Sequence, residues 1–351
     1  MPASVAHMLI AHKALKNLQR NEDRKLASFA RRLDSAKGRE RYQAYMNVGS
    51  LGPDLYYYTS LGKGIKDILI DGYFQAKAVT RWSYHLHSSR PNEFALKLIE
   101  IVFSDVVWER GKVKLDVDDY RKLAYIAGHL SHIAADQIIH PLVNKIAGPY
   151  FRDGKNRKTH REAEVYQDYF LYQEVYRLED KKGAGYEFFK QDFRKWADCL
   201  TGAKLRNTED WFRYFLQRGF IETYGVAPDE DEIENAVDGV LTTFRATKLV
   251  GPYKAAEKEY KSSGNKPNFE KYVEKPKYLD HYNAAVELTE IYINALYEAY
   301  QLLKAGKNFI NKGKWFLEVV RGADLSCPLE KDILENAKAG LLRARRRGKE
   351  F

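Results

Sequence analysis

Residues 124–144 read AYIAGHLSHIAADQIIHPLVN. His132, Asp136 and His140 stand four apart in this stretch. At about 100° per residue they share one face of an α-helix, with His129 at the edge of that face. The residues between them are mostly Ala, Ile, Leu and Gly, which belong in a core. A buried imidazole or carboxylate is costly without a partner. A divalent cation or a fully hydrogen-bonded core network would each supply one, and the third member, His140, favours the metal.

The same three- and four-residue apolar spacing recurs at 8–18, 94–107, 162–178 and 278–303, and extends the central stretch to 120–139. Alternating β-branched runs are scarce and no internal repeat stands out, so the expected fold class is all-α. Breaks fall at 49–53 (GSLGP), at 148–149 and 153–154, and at 88–91 (SSRP), where Pro91 suits the first turn of a helix. Segments 179–184 and 261–276 read as polar, lysine-rich linkers. Two regions follow: 1–178, which carries the candidate chemistry, and 185–351, a helical C-terminal extension packed with the first or apart from it.

The chain has 351 residues, 44% of them hydrophobic, enough for a sizeable core. No run of eighteen apolar residues is present, so no transmembrane helix is expected. Cys199 and Cys327 are too few for a disulfide framework or a thiolate zinc site. The first residues lack the features of a secretory signal, and a cytoplasmic location is expected. A net charge of +10 favours anionic partners: phosphates, nucleic acid, or an anionic membrane surface met peripherally. The basic end, RARRRGKEF at 343–351, is expected as a solvated helix terminus or a surface lying on anions.

Histidine placement carries further information. His7, His12, His85, His87, His129, His132, His140 and His160 all lie in residues 1–160, and His281 alone lies beyond. One metal centre built from the first half would explain the skew. His160 and Glu164, in HREAE, are again four apart and present an imidazole and a carboxylate to a common point. Asp54 follows the GSLGP turn, placed either to hold a cation or to cap the next helix. His85 and His87 precede SSRP; on an extended segment they would share a side, and a metal would need at most one.

Taken in order, His7, GSLGPD ending in Asp54, HSSRPNEF, GHLSHIAADQIIHP and HREAE resemble the zinc-dependent phospholipase C family, which shares its fold with the single-strand-specific zinc nucleases. The likeness covers roughly residues 1–170 and rests on the order and number of ligands. It implies a multi-helix domain holding two or three zinc ions. By that resemblance Asp54, His87, His132 and Asp136 hold one zinc; His140, His160 and Glu164 hold a second; His7 and the shared Asp136 carboxylate hold a third. Secreted members also use a free amino terminus, and here loss of Met1 would leave the Pro2 nitrogen for that role. Two departures stand out: His140 follows Asp136 more closely than in secreted members, and Pro141 disfavours helix at His140, so that histidine is expected to swing off the helix.

The resemblance implies a zinc-dependent phosphoester hydrolase in which metal-bound hydroxide attacks, Asp54 orients or deprotonates the water, and the substrate is a phospholipid or small phosphodiester. A nuclease or nucleotidase on the same centre, and a non-catalytic helical scaffold that keeps the metal for stability, are the other readings. Tyr56, Tyr57 and Tyr58 would line a headgroup pocket, stack a base, or simply pack. Glu162, Asp168 and His129 are candidates to accept from the second nitrogen of a ligating imidazole.

Overall fold

The computed structural model describes residues 4–35, 41–63, 80–109, 112–148, 153–176, 210–246, 251–262, 264, 266–306, 313–321 and 332–349. Among them are fourteen α-helices and one short hairpin, so the fold is all-α. The hairpin, β1 (Val107–Glu109) and β2 (Lys112–Lys114), begins where the apolar spacing at 94–107 reads as helix. There α5 (Pro91–Asp105) stops and Val106 turns to extended backbone. Pro91 does open α5.

The frame is α6 (Val117–Ala147), whose residues 123–139 are all buried. It starts at a capping box, in which the Asp116 carboxylate accepts from the Asp119 amide and Asp119 reciprocates, and it ends at Gly148 with φ 79°. Against α6 pack α3 (Tyr42–Ser50), α1 (Ser4–Leu18), α5, α7 (Gly154–Leu171) and the long α12 (Lys275–Lys304). A Cβ at Gly49 would run into the Tyr125 carbonyl and one at Gly128 into the Met46 carbonyl, so α3 and α6 meet backbone to backbone. Helix α2 (Arg24–Leu33), capped by the Asp23 carboxylate, lies beside α1.

Residues Gly52–Lys63 form a 3₁₀ segment, held by α4 (Thr80–Ser88) on one side and α9 (Glu230–Ala246) on the other. Helix α8 (Asp210–Tyr224) packs on α5. Helices α10 (Gly251–Lys261) and α11 (Pro267–Tyr272) pack on α7, so the stretch expected as linker at 261–276 contains a helix. Phe269 and Tyr272 are buried, and their rings meet Tyr166 on α7. Those two rings outweigh the polar, lysine-rich composition around them. Helices α13 (Lys314–Val319) and α14 (Ile333–Lys349) complete the described set, and the basic end stays helical to Lys349. Arg345 there reaches Glu298 and Asn294 on α12. The linker at 179–184, the boundary at 178–185, Cys199, Cys327 and Pro2 lie outside the described residues. No described helix is long and apolar enough to cross a membrane.

Candidate metal centre

His7, Asp54, His87, His132, Asp136, His140, His160 and Glu164 come together from five segments: α1, the 3₁₀ segment, α4, α6 and α7. They form three donor groups: His7 with His132 and Asp136; Asp54 with His87 and His132; His140 with His160 and Glu164. All are buried except His140, whose side chain is 16% exposed.

Asp136 sits at the middle. Its Oδ1 lies 3.3 Å from His7 Nε2 and 3.2 Å from His140 Nε2. Its Oδ2 lies 3.1 Å from His132 Nε2 and 3.4 Å from His87 Nε2. Asp54 Oδ1 lies 3.2 Å from His87 Nε2, and Glu164 Oε1 lies 3.0 Å from His160 Nε2 and 3.6 Å from His140 Nε2. His140 reaches Asp136 because α6 runs unbroken through Pro141 to Ala147. Proline in a helix interior costs about 3 kcal/mol; the packing of α3, α7 and α12 along α6 outweighs it, and the histidine does not leave the helix.

His87 and His85 both lie on α4, which is helical rather than extended, so two residues of separation put them on different faces. His87 faces the cluster. His85 packs on the Tyr224 ring at 5.0 Å. His12 is held by Asp34 at 3.1 Å and Asn47 at 2.8 Å. His129 packs against Phe94 and Tyr125, and burial pushes its pKa down to about 3. The histidine skew therefore has two causes: five of the eight meet at the centre, and three serve packing or a separate polar network.

Do these donors fit a cation? His132 Nδ1 lies 2.9 Å from the Ser50 carbonyl and His87 Nδ1 lies 2.7 Å from the Ser83 carbonyl. A carbonyl only accepts, so both Nδ1 atoms carry the proton and both Nε2 lone pairs face inward. Those two Nε2 atoms are 3.4 Å apart. Two lone pairs at that distance need a cation or an added proton between them. Asp54 Oδ2, Asp136 Oδ2 and His7 Nδ1 are buried with no well-aligned hydrogen bond. Nitrogen and carboxylate oxygen donors without thiolate suit zinc sites that keep a position open for chemistry. The donor set fits.

Electrostatics agree with the geometry. Burial, and then the His132 ring stacked at 4.0 Å, lower His7 to about 3 and keep it neutral. Burial lowers His140 too, but the Asp136 and Glu164 carboxylates outweigh it and raise it to about 9. Burial resists ionisation of Asp136 and Glu164, and the histidines facing them still hold both below the usual carboxylate range.

None of the expected imidazole acceptors takes that part. Glu162 accepts from the Tyr272 hydroxyl at 2.9 Å, and neither His129 nitrogen has a hydrogen-bond partner. Asp168 accepts from the Ala6 amide at 2.9 Å and the Val5 amide at 3.2 Å, pinning the first turn of α1 just ahead of His7. The acceptors for His87 and His132 are main-chain carbonyls, which no residue type announces. Asp168 had a signal: it lies one helical turn beyond Glu164 on the same face. Of the three tyrosines, Tyr56 and Tyr58 are fully buried core, and only Tyr57 borders the cluster, its ring 5.8 Å from His87.

A family profile described as zinc dependent phospholipase C matches residues 6–214, more than half of the chain. The chain belongs to the zinc-dependent phospholipase C family. The matched region holds all eight donor residues and runs beyond residue 170, where the recognisable ligand order ends. Searches of curated proteins and of solved structures return no match. As a member of a zinc-dependent hydrolase family, this phospholipase C relative has three side-chain groups able to hold a metal ion.

Proposed function

We propose that the chain hydrolyses phosphoesters in the phospholipase C manner, on a phospholipid or small phosphodiester, with zinc held by the three donor groups. The observation that carries this reading is the pair of inward-facing Nε2 atoms on His87 and His132, flanked by Asp54 and Asp136. Held by these residues, zinc would make water more acidic, toward a pKa of about 7, and would draw charge from the phosphoryl oxygens.

The remaining work belongs to the chain's own groups. Asp136 joins the donor groups and fixes their spacing, because each of its oxygens faces two imidazoles. Asp54 accepts the proton of the attacking water through Oδ2, the oxygen that carries no hydrogen bond. Ser50 and Ser83 carbonyls hold His132 and His87 in one tautomer, which keeps their Nε2 atoms as donors. The phosphoryl group enters on the side of His140, the donor with most exposure, and Tyr57 borders the leaving headgroup.

The test is hydrolysis of phosphatidylcholine vesicles, a short-chain soluble phospholipid and single-stranded DNA, each with and without chelator, alongside elemental analysis. Chelator-sensitive cleavage of phospholipid with zinc bound supports the reading. Cleavage of DNA alone assigns a nuclease to the same centre. Bound zinc with no turnover on any substrate makes the centre structural.

A further inference from the structure

A concavity lies well away from the zinc donors, between α2, the start of α6 and the end of α12, with a volume of about 580 Å³. Tyr120, on its floor, stands twelve residues before His132 on the same helix, about 18 Å along the axis at 1.5 Å per residue. The floor is aromatic: Tyr120 and Tyr300 are buried and their hydroxyls lie 3.1 Å apart, and Phe29 stacks on Tyr300 at 5.1 Å. Exposed Lys25, Arg32 and Lys304 stand around it. Arg32 lies 4.0 Å over the Tyr120 ring and Lys304 5.5 Å over the Tyr300 ring.

No carboxylate lines this cleft, and among the described residues none of the three cations is ion-paired. Ser28 and Gln301 add a hydroxyl and an amide. A solvated face of a protein with 48 acidic residues intersperses both signs. Here three like charges surround one hollow and gain nothing from one another. Two hydroxyls that bond each other leave one O–H to donate outward. The lining is thus rich in donors and complementary to several acceptor oxygens carrying negative charge, over rings that accept an apolar stem.

We propose that this cleft is a second anion site, taking a phosphate group as free phosphate monoester or as the headgroup of an anionic lipid. Its place on the molecule bears on the lipid source. Trp108, on the hairpin, is 48% exposed and its ring touches the position of a Cβ at Gly306, two residues beyond Lys304. Val107 beside it is 59% exposed. An exposed tryptophan next to a basic rim is the side-chain set that settles at a lipid headgroup layer. The site does not depend on the zinc reading, since none of its residues is a zinc donor.

The experiment uses the full zinc-loaded chain. Inorganic phosphate is titrated by calorimetry with and without chelator, so that binding at the zinc donors is separated from binding at the cleft. Co-sedimentation is measured with chelator present, to block hydrolysis, on vesicles of phosphatidylcholine containing phosphatidic acid. Wild type is compared with R32Q/K304Q, and with K155Q/K258Q, which removes the same charge from exposed positions elsewhere. The expected result is binding at least about tenfold weaker in R32Q/K304Q and near wild type in K155Q/K258Q, the loss of charge-assisted hydrogen bonds. A loss confined to phosphate assigns a soluble ligand; a loss extending to vesicles assigns a headgroup. Zinc content and thermal unfolding show that both variants are folded. Binding unchanged in R32Q/K304Q, or weakened equally in K155Q/K258Q, overturns the proposal.

Discussion

In the proposed mechanism Asp54 has both a metal-facing and a water-facing part to play. Replacing Asp54 by Asn is expected to lower kcat at least about a hundredfold, the usual worth of a general base. Zinc content measured alongside separates the two parts: retained zinc with lost turnover assigns the base, and lost zinc assigns a ligand. His140 makes a second prediction, in pH. Without metal its pKa is raised to about 9, above the unfolded value near 6.5. The stability it contributes is therefore fully present below about pH 6.5 and disappears as pH rises through 9. Asp136 and Glu164 are depressed, so their contribution is present above about pH 4 and disappears in acid. His7 and His129, held neutral by burial with values of about 3, work the other way and withdraw stability below about pH 6.5. Chelated protein should therefore melt highest near pH 6.5 and lower on either side. Zinc-loaded protein should instead gain stability from pH 5 to 8, because ligation needs neutral imidazole. Thermal melts across pH, with and without chelator, check this; parallel profiles would contradict it. His132, Asp136, His140, His160 and Glu164 were legible because four-residue spacing on a helix is a geometric statement; His7, Asp54 and His87 came only through the family resemblance. The tautomers were not, since Ser50 and Ser83 act through carbonyls that any residue would offer.

Two contacts between elements bring the donors into range. The Asp168 carboxylate ties α7 to the first turn of α1, and His7 follows directly. Asp168→Ala should destabilise the fold by about 1–3 kcal/mol by leaving two amides unmatched, and should weaken zinc binding about tenfold or more. Denaturant unfolding and metal titration read these apart. The approach of α3 to α6 sets the Ser50 carbonyl against His132. Gly128→Ala forces a methyl into the Met46 carbonyl and should cost at least about 2 kcal/mol. The helices were readable from apolar periodicity: 94–107, 120–139 and 278–303 lie within or nearly within α5, α6 and α12. Two local rules misled. Pro141 did not end its helix, and the polar composition of 261–276 hid the Phe269 and Tyr272 contacts that make α11 part of the core. Both are cases of tertiary packing outweighing local preference.

On the scale of the whole molecule, the C-terminal region buttresses the elements that carry the donors. Helix α9 braces the 3₁₀ segment that presents Asp54, and α12 lies along α6, where the Tyr292 hydroxyl reaches Gln137 one residue beyond Asp136. Nothing in the composition of that region announced this, because it shares no ligand pattern with the first and its role is read from packing alone. Metal and fold should accordingly be linked: chelation is expected to lower the unfolding temperature of the whole chain in one transition. The most direct test of the central claim is anomalous diffraction at the zinc edge from crystals of the native protein. Two or three zinc peaks among His7, Asp54, His87, His132, Asp136, His140, His160 and Glu164 are predicted. A map with no zinc among these eight side chains, in protein shown to be active, would contradict the account.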